Sequence, residues 1–313
     1  MRRNLIFHIG LEKTGTDSFQ RFCTEHHKLL RDYSVLYPMK RSHFFKNYNH
    51  APLVACYLPH HDFGLRSSGE ARAVVLRSLT AEIDEEDFDT ILISAEHFSS
   101  RFGDMEIGQL ATDFGDYDCR IVVVVRDHVS RLYSAYSQTV LSGRDMTLDA
   151  FCDEVFHPHA HYMRYARTIQ AWERVFGRKS VSVFCYLPGR NIIPVLCQNL
   201  ISPAMPLSSI ESYWDNRSAG PGPTERLCRV NRAMARVPVG SSSFAGWLVL
   251  RHIRGGIAKV FRWLDGHQNA GRWHLSPQNQ ERLSEIAETD RVWLETHYGV
   301  HLLDQAAAPA TGS

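Results

Sequence analysis

Four short apolar runs constrain the fold more than any other feature of the chain: Leu5 to Ile9, Thr90 to Ile93, Ile121 to Val125 and Val181 to Tyr186. Each is rich in branched side chains and lacks the polar alternation of a half-exposed strand. That is the pattern of parallel strands buried on both faces. Between and after them lie amphipathic helical patterns. Phe19, Phe22, Cys23, His26 and Leu30 share one helical face, as do Val129, Tyr133, Tyr136 and Val140. Strands alternating with such helices predict an α/β fold, with a central, mainly parallel sheet flanked by helices.

With 313 residues, 44% of them hydrophobic, the chain is long enough for one large core. No linker or internal repeat divides it, so a single domain is expected over 1–304. It would carry an insertion over about 37–88, a C-terminal helical part over about 205–304 and a disordered polar tail, 305–313. Ser276-Pro277 is a helix start, with Ser as cap and Pro in the first turn, and Gly299 is placed to close that helix. The formal charge of +1 gives no bulk electrostatic case for nucleic-acid binding. The seven cysteines are scattered singly, as expected of reduced thiols in a reducing compartment. Arg2-Arg3-Asn4 leads at once into the first apolar run, and nothing approaches a spanning segment. A cytoplasmic protein is the expectation.

The chemistry begins at Phe7-His8-Ile9-Gly10-Leu11-Glu12-Lys13-Thr14-Gly15-Thr16-Asp17-Ser18-Phe19-Gln20. A buried strand enters a tight loop with two glycines and then a helix, which aims backbone N–H groups and the positive helix end at an anion. Lys13 adds a charge; Thr14, Thr16 and Ser18 add hydroxyls. Gly10 and Gly15 have the Walker A separation, but Thr16 and Asp17 stand where Lys and Ser/Thr belong. The loop suits phosphate binding without ATP-type magnesium chemistry. A second segment, Ile121 to Tyr136, ends a buried strand in Arg126 and places Ser134 eight residues later, on the following helix. Arg126 offers a planar fork to a phosphate, and Ser134 offers a hydroxyl.

The first loop resembles the 5′-phosphosulfate loop of sulfotransferases that use 3′-phosphoadenosine 5′-phosphosulfate (PAPS), particularly bacterial carbohydrate sulfotransferases with loops like H-x-G-x-x-K-T-G-T-T-S-x-Q. The second resembles their 3′-phosphate motif, R-[DN]-x-x-x-R-x-x-S-x-Y, matched by Arg126, Arg131, Ser134 and Tyr136. The two motifs occur in the family's order. The resemblance implies a P-loop NTPase-like sulfotransferase fold and metal-independent, in-line transfer of a sulfuryl group from PAPS to a hydroxyl. The implied acceptor is a carbohydrate or glycolipid, and adenosine 3′,5′-bisphosphate (PAP) is the product. By the same resemblance Lys13 contacts the transferring group, while Thr14, Gly15, Thr16 and Ser18 hold the 5′-phosphate and Arg126 and Ser134 the 3′-phosphate. Asp17 departs from the pattern, putting a carboxylate where a hydroxyl normally faces the phosphate. It either turns outward in the first helical turn or weakens nucleotide binding.

Transfer to a hydroxyl needs a base. Glu96, after the second apolar run in Ser94-Ala95-Glu96-His97-Phe98, is the first candidate and His97 the second. His8 is expected to be a core histidine, and His43, His50, His60 and His61 are candidates to line an acceptor pocket. Asn216-Arg217-Ser218, with Glu225, Arg229 and Asn231, resembles an asparagine element of bacterial members. His157-Pro158-His159-Ala160-His161 could align three imidazoles, but no completing ligand is spaced for a metal site, and none is expected. Residues 244–264 carry a basic amphipathic pattern that fits either core packing or peripheral contact with an anionic membrane. The rival readings are a P-loop kinase or NTPase, favoured by magnesium-dependent ATP binding, and a nucleotide- or glycan-binding protein with a decayed site.

Overall fold

The structure is a computed structural model, and it describes residues 2–59, 72–187, 190–205, 219–235, 256–257 and 273–302. Among the described residues five parallel strands form one sheet in the order β2-β3-β1-β4-β5: β1 (Asn4–His8), β2 (Val35–Leu36), β3 (Thr90–Ser94), β4 (Asp118–Arg126) and β5 (Val181–Tyr186). The four apolar runs are thus four of the five strands, and β1 lies at the centre. The fifth, β2, is two residues long, too short to leave a periodic signal. In β1, Leu5 and Phe7 join one apolar cluster with Ile91, Ile93, Ile121 and Val123, while Ile6 joins another with Leu92, Val122 and Val124. Both faces are covered, which explains the continuous apolar runs.

The helices follow the expected α/β alternation: α1 (Thr16–Glu25), α2 (His27–Asp32), α3 (Ala51–Ala55), α4 (Arg72–Asp84), α5 (His97–Arg101), α6 (Asp104–Asp113), α7 (His128–Leu141), α8 (Leu148–Val155), α9 (Tyr165–Phe176), α10 (Ile193–Leu200), α11 (Pro221–Ala235) and α12 (Pro277–Tyr298). One helical face was expected from Phe19 to Leu30. The chain instead breaks at His26, whose backbone N–H still reaches the Phe22 carbonyl, and restarts as α2. The start of α12 is as the sequence predicts: Ser276 Oγ accepts from the Asn279 N–H at 3.4 Å, and Gly299, at φ 62°, closes the helix.

By contacts the chain divides into two compact units. One comprises Met1–Asp127, Arg164–Asp215 and Asp290–Ser313, and the other His128–Met163 and Asn216–Thr289. The first contains the whole sheet. In it, Asp290 accepts from the N–H groups of Tyr165 and Ala166 at 2.7 and 2.9 Å, serving as a distant cap for α9. The second is helical, built on Leu132, Tyr136, Phe151, Phe156, Met163 and Leu227. The expected insertion contains α3 and α4 among the described residues, and β2 ends just before it. The expected tail, the 216–218 element, His60 and His61 lie outside the described residues. So does 244–264, apart from Gly256 and Ile257.

All seven cysteines are described, and none forms a disulfide. No helix among the described residues is long and apolar enough to cross a membrane.

Candidate active site

The C-terminal ends of β1, β3, β4 and β5 carry the chemistry-bearing side chains of the first unit. Beyond β1 the loop turns at Gly10 (φ 44°), Lys13 (φ 71°) and Gly15 (φ 84°). A side chain at Gly10 would put its Cβ 2.7 Å from Thr16 Oγ1. At Gly15 it would meet Ile192 Cγ2 at 2.9 Å and the Tyr186 ring at 3.3 Å. Both glycines are therefore required by space as well as by conformation. Lys13 holds the left-handed conformation with a full side chain, a local cost typical of functional loops.

The loop braces itself. Thr14 Oγ1 donates to the Leu11 carbonyl at 2.6 Å, Thr16 Oγ1 donates to the same oxygen at 3.3 Å, and the two hydroxyls lie 3.3 Å apart. Both threonines are buried, whereas Lys13, Gly15 and Ser18 are partly exposed. The threonine hydroxyls thus shape the loop from within.

Arg126 ends β4. Its Nη1 donates to the Lys13 carbonyl at 2.9 Å, its guanidinium stacks over the Tyr186 ring at 5.0 Å, and its own carbonyl accepts from Tyr165 Oη at 2.7 Å. The arginine singled out for the second motif therefore fixes the first loop at its strained residue. Tyr186, at the end of β5, touches both elements through Gly15 and Arg126. Sequence reasoning placed it only in a strand; its position at the C-terminal strand edge was the one available signal.

Ser134 belongs to the second unit, buried in α7. In that unit Arg131 is buried under the Tyr162 ring and donates to the Tyr162 carbonyl, and Tyr136 Oη donates to the Met146 carbonyl at 3.1 Å. These two motif residues act as packing anchors. Asn231 donates to the Val140 and Arg144 carbonyls at 2.7 and 2.9 Å, tying down the end of α7.

Glu96 follows β3 and precedes α5. Its Oε2 accepts from Gln20 Nε2 at 3.0 Å, and its Oε1 lies 3.8 Å from His97 Nδ1. The two candidate bases are thus neighbours in space as well as in sequence. Asp17 is exposed in the first turn of α1, yet protein surrounds it on several sides. Its pKa is raised, first by lost hydration and then by the Glu96 carboxylate, while Lys13 and His97 oppose the rise. Asp17 therefore sits within the electrostatic reach of Glu96, Lys13 and His97.

His50 does not line a pocket, as its place in the insertion had suggested. It is fully buried: Nδ1 accepts from the Ser94 N–H at 3.1 Å, which makes Nε2 the protonated nitrogen that donates to the Pro38 carbonyl at 2.8 Å. Burial lowers its pKa to about 4. It is a neutral clamp on the end of β3. His8 is also buried, its pKa lowered by desolvation to about 3. Its Nδ1 lies 2.8 Å from Ser94 Oγ, but its Nε2 has no partner among the described residues, so this core histidine is only half satisfied. His43 Nδ1 lies 3.4 Å from Ser78 Oγ, near α4. The rings of His157 and His159 stand 5.4 Å apart, and no group of three potential metal ligands occurs among the described residues.

A central parallel sheet with a glycine-shaped loop leading into a helix at its C-terminal edge defines the class as an α/β protein. The family follows from the sequence match: a family model described as the sulfotransferase domain matches residues 4–186, and the chain belongs to that family. As a member it is a transferase that moves a sulfuryl group from a donor to an acceptor. Among solved structures it is similar to a sulfotransferase from Alicyclobacillus acidocaldarius, at 16% identity over 96% of this chain and 98% of that one, with a TM-score of 0.48. No curated protein matches the chain.

Proposed function

We propose that the protein is a PAPS-dependent sulfotransferase whose acceptor is a carbohydrate or glycolipid hydroxyl. The observation that carries the donor assignment is the Arg126–Lys13 contact. It ties the leading arginine of the second motif to the first loop, with Lys13 in a left-handed conformation beyond the central strand.

In this reading the α1 N-terminus and Ser18 receive the 5′-phosphate, with Thr14, Gly15 and Thr16 shaping the loop around it. Arg126 receives the 3′-phosphate, a role that the resemblance also gives to Ser134. The donor supplies a sulfur already bonded to a good leaving group. Lys13 neutralises charge that develops on the bridging oxygen as the S–O bond to the 5′-phosphate breaks. A sulfuryl group carries one charge fewer than a phosphoryl group, so a lysine suffices where a kinase uses magnesium. Glu96 takes the acceptor hydroxyl proton as the new S–O bond forms; His97 is the second candidate for that role. The products are the sulfate ester, the bisphosphate PAP and a protonated base, and the atoms and charges balance. The carbohydrate acceptor rests on the resemblance of the loop to bacterial carbohydrate sulfotransferases. The unpaired cysteines support a reducing, cytoplasmic setting.

Calorimetric titration with adenosine 3′,5′-bisphosphate in EDTA tests the donor half. Tight binding that Arg126→Ala abolishes is expected; binding of ATP only with Mg²⁺ would overturn it in favour of a kinase. Radiolabelled sulfuryl transfer across oligosaccharide, glycolipid and phenolic acceptors tests the other half. Transfer to phenols alone would replace the carbohydrate assignment. Donor binding without turnover on any acceptor would point to a binding protein.

A further inference from the structure

Gln20 lies on α1, one turn past the phosphate loop, with only 1% of its surface exposed. Its single amide nitrogen serves two acceptors, Glu96 Oε2 at 3.0 Å and Ser94 Oγ at 3.2 Å. A flipped amide would set its oxygen against the carboxylate, so Glu96 fixes which way the group points. Behind Ser94 stand two more buried side chains: His8, with Nδ1 2.8 Å from Ser94 Oγ, and Tyr37, whose phenol lies near the Ser94 hydroxyl.

One set of directions leaves no buried N–H or O–H orphaned. Tyr37 Oη donates to the Tyr48 carbonyl at 2.7 Å. The Ser94 hydroxyl hydrogen turns towards the Tyr37 phenol, His8 Nδ1 donates to Ser94, and Gln20 donates to both Ser94 and Glu96. The unpartnered His8 Nε2 is then an acceptor, a cheaper vacancy than a bare N–H. Each donor is committed, and the last one in the chain is spent on Glu96.

We propose that Gln20 is a positioning residue for Glu96, holding Oε2 so that Oε1 is the oxygen presented to the acceptor proton. The statement rests on Glu96 being the base. The chain holds a proton acceptor in place and does not relay protons. His8 stays neutral throughout the working range, and burial holds the Tyr37 phenol well above its ordinary range, so neither can pass charge on. The other charged groups facing this corner are Asp17, Lys13 and Glu12 from the loop and α1, and His97 from α5.

The test is a ¹³C NMR titration of protein labelled at glutamate Cδ, with the Glu96 resonance assigned by its loss in Glu96→Gln. Loss of a donor from a carboxylate favours its protonated form. In Gln20→Met the midpoint is expected to rise by roughly one pH unit. In Gln20→Glu, which keeps the shape and adds a like charge, the rise is expected to be larger. Thermal melting checks that both variants fold, and either folded variant decides the question. On the best acceptor of the panel, kcat should fall roughly tenfold while the donor KM stays within about twofold, with the acidic limb of the rate profile shifted upward. An unmoved midpoint overturns the positioning role. Retained activity in Glu96→Gln would instead remove Glu96 as the base, and the NMR midpoint would still report separately on Gln20.

Discussion

The loop after β1 and the end of β3 are built in opposite ways. The loop is held by its own neighbours: the Thr14 and Thr16 hydroxyls reach back three and five residues to one carbonyl, and two glycines give the turn its room. The end of β3 is held from far away. His8, Gln20 and His50 converge on Ser94 and Glu96 from 86, 76 and 44 residues off. A phosphate cradle needs backbone N–H groups in a fixed curve, which a short stretch of chain can make alone. Holding a carboxylate at one angle needs buried partners on several sides, which only packed elements supply. The comparison teaches that donor binding and proton removal, as assigned here, should fail in different ways.

The largest expected difference is at Lys13. Lys13→Ala should lower kcat by roughly 10²–10³ while the fold, measured by thermal melting, is retained; near-normal turnover would remove Lys13 from the chemistry. Gly15→Ala should come next. Its Cβ would press on Ile192 in a backbone conformation that alanine resists, costing about 1–3 kcal/mol in denaturant unfolding and weakening bisphosphate binding. An unchanged midpoint would mean the loop tolerates more than its geometry implies.

The long-range side of the comparison is exposed by acid. The pKa values of His8 and His50 are lowered on folding to about 3 and about 4, so both stay neutral in the fold while the unfolded chain takes up protons below about pH 6.5. Stability is therefore present in full above that value and lost as pH falls towards 4. At pH 5 the loss is about 2 kcal/mol per histidine. Denaturant unfolding at pH 7 and 5, repeated on His50→Gln, should show the variant's slope reduced by one histidine's share; equal slopes would free His50 from its clamping role.

The smallest effect is at Asp17, where the two regions meet electrostatically. Asp17→Asn should bind adenosine 3′,5′-bisphosphate roughly two- to fivefold more tightly at pH 7.5. The raised pKa of Asp17 means that the wild type loses this repulsion as pH falls through a range above the ordinary carboxylate value. The gap between the two proteins, which cancels the ligand's own ionisation, should therefore narrow in acid. A gap that stays constant with pH would show that the carboxylate does not face the nucleotide.

Legibility in the sequence follows the same division. Four of five strands and the start of α12 were written locally, in side-chain type and capping chemistry, and the Gly10–Ser18 loop could be read because its residues act on one another. The contact between Arg126 and the Lys13 carbonyl joins residues 113 apart, and no periodicity encodes such a pair. The same holds for His50, which in sequence was one histidine among several near an expected pocket and in the fold is a buried clamp.

Gln20 is the sharpest case: its place in the loop pattern was visible, but its purpose was not. The sequence by itself determined the parallel sheet, the glycine-shaped loop after β1 and the sulfotransferase family, because each depends on residues close together in the chain. Only the tertiary structure decided that Glu96 is held by Gln20, that Arg126 braces Lys13 and that Asp17 feels Glu96. Those relations depend on which strand ends come together in space, and local chain chemistry carries no record of that.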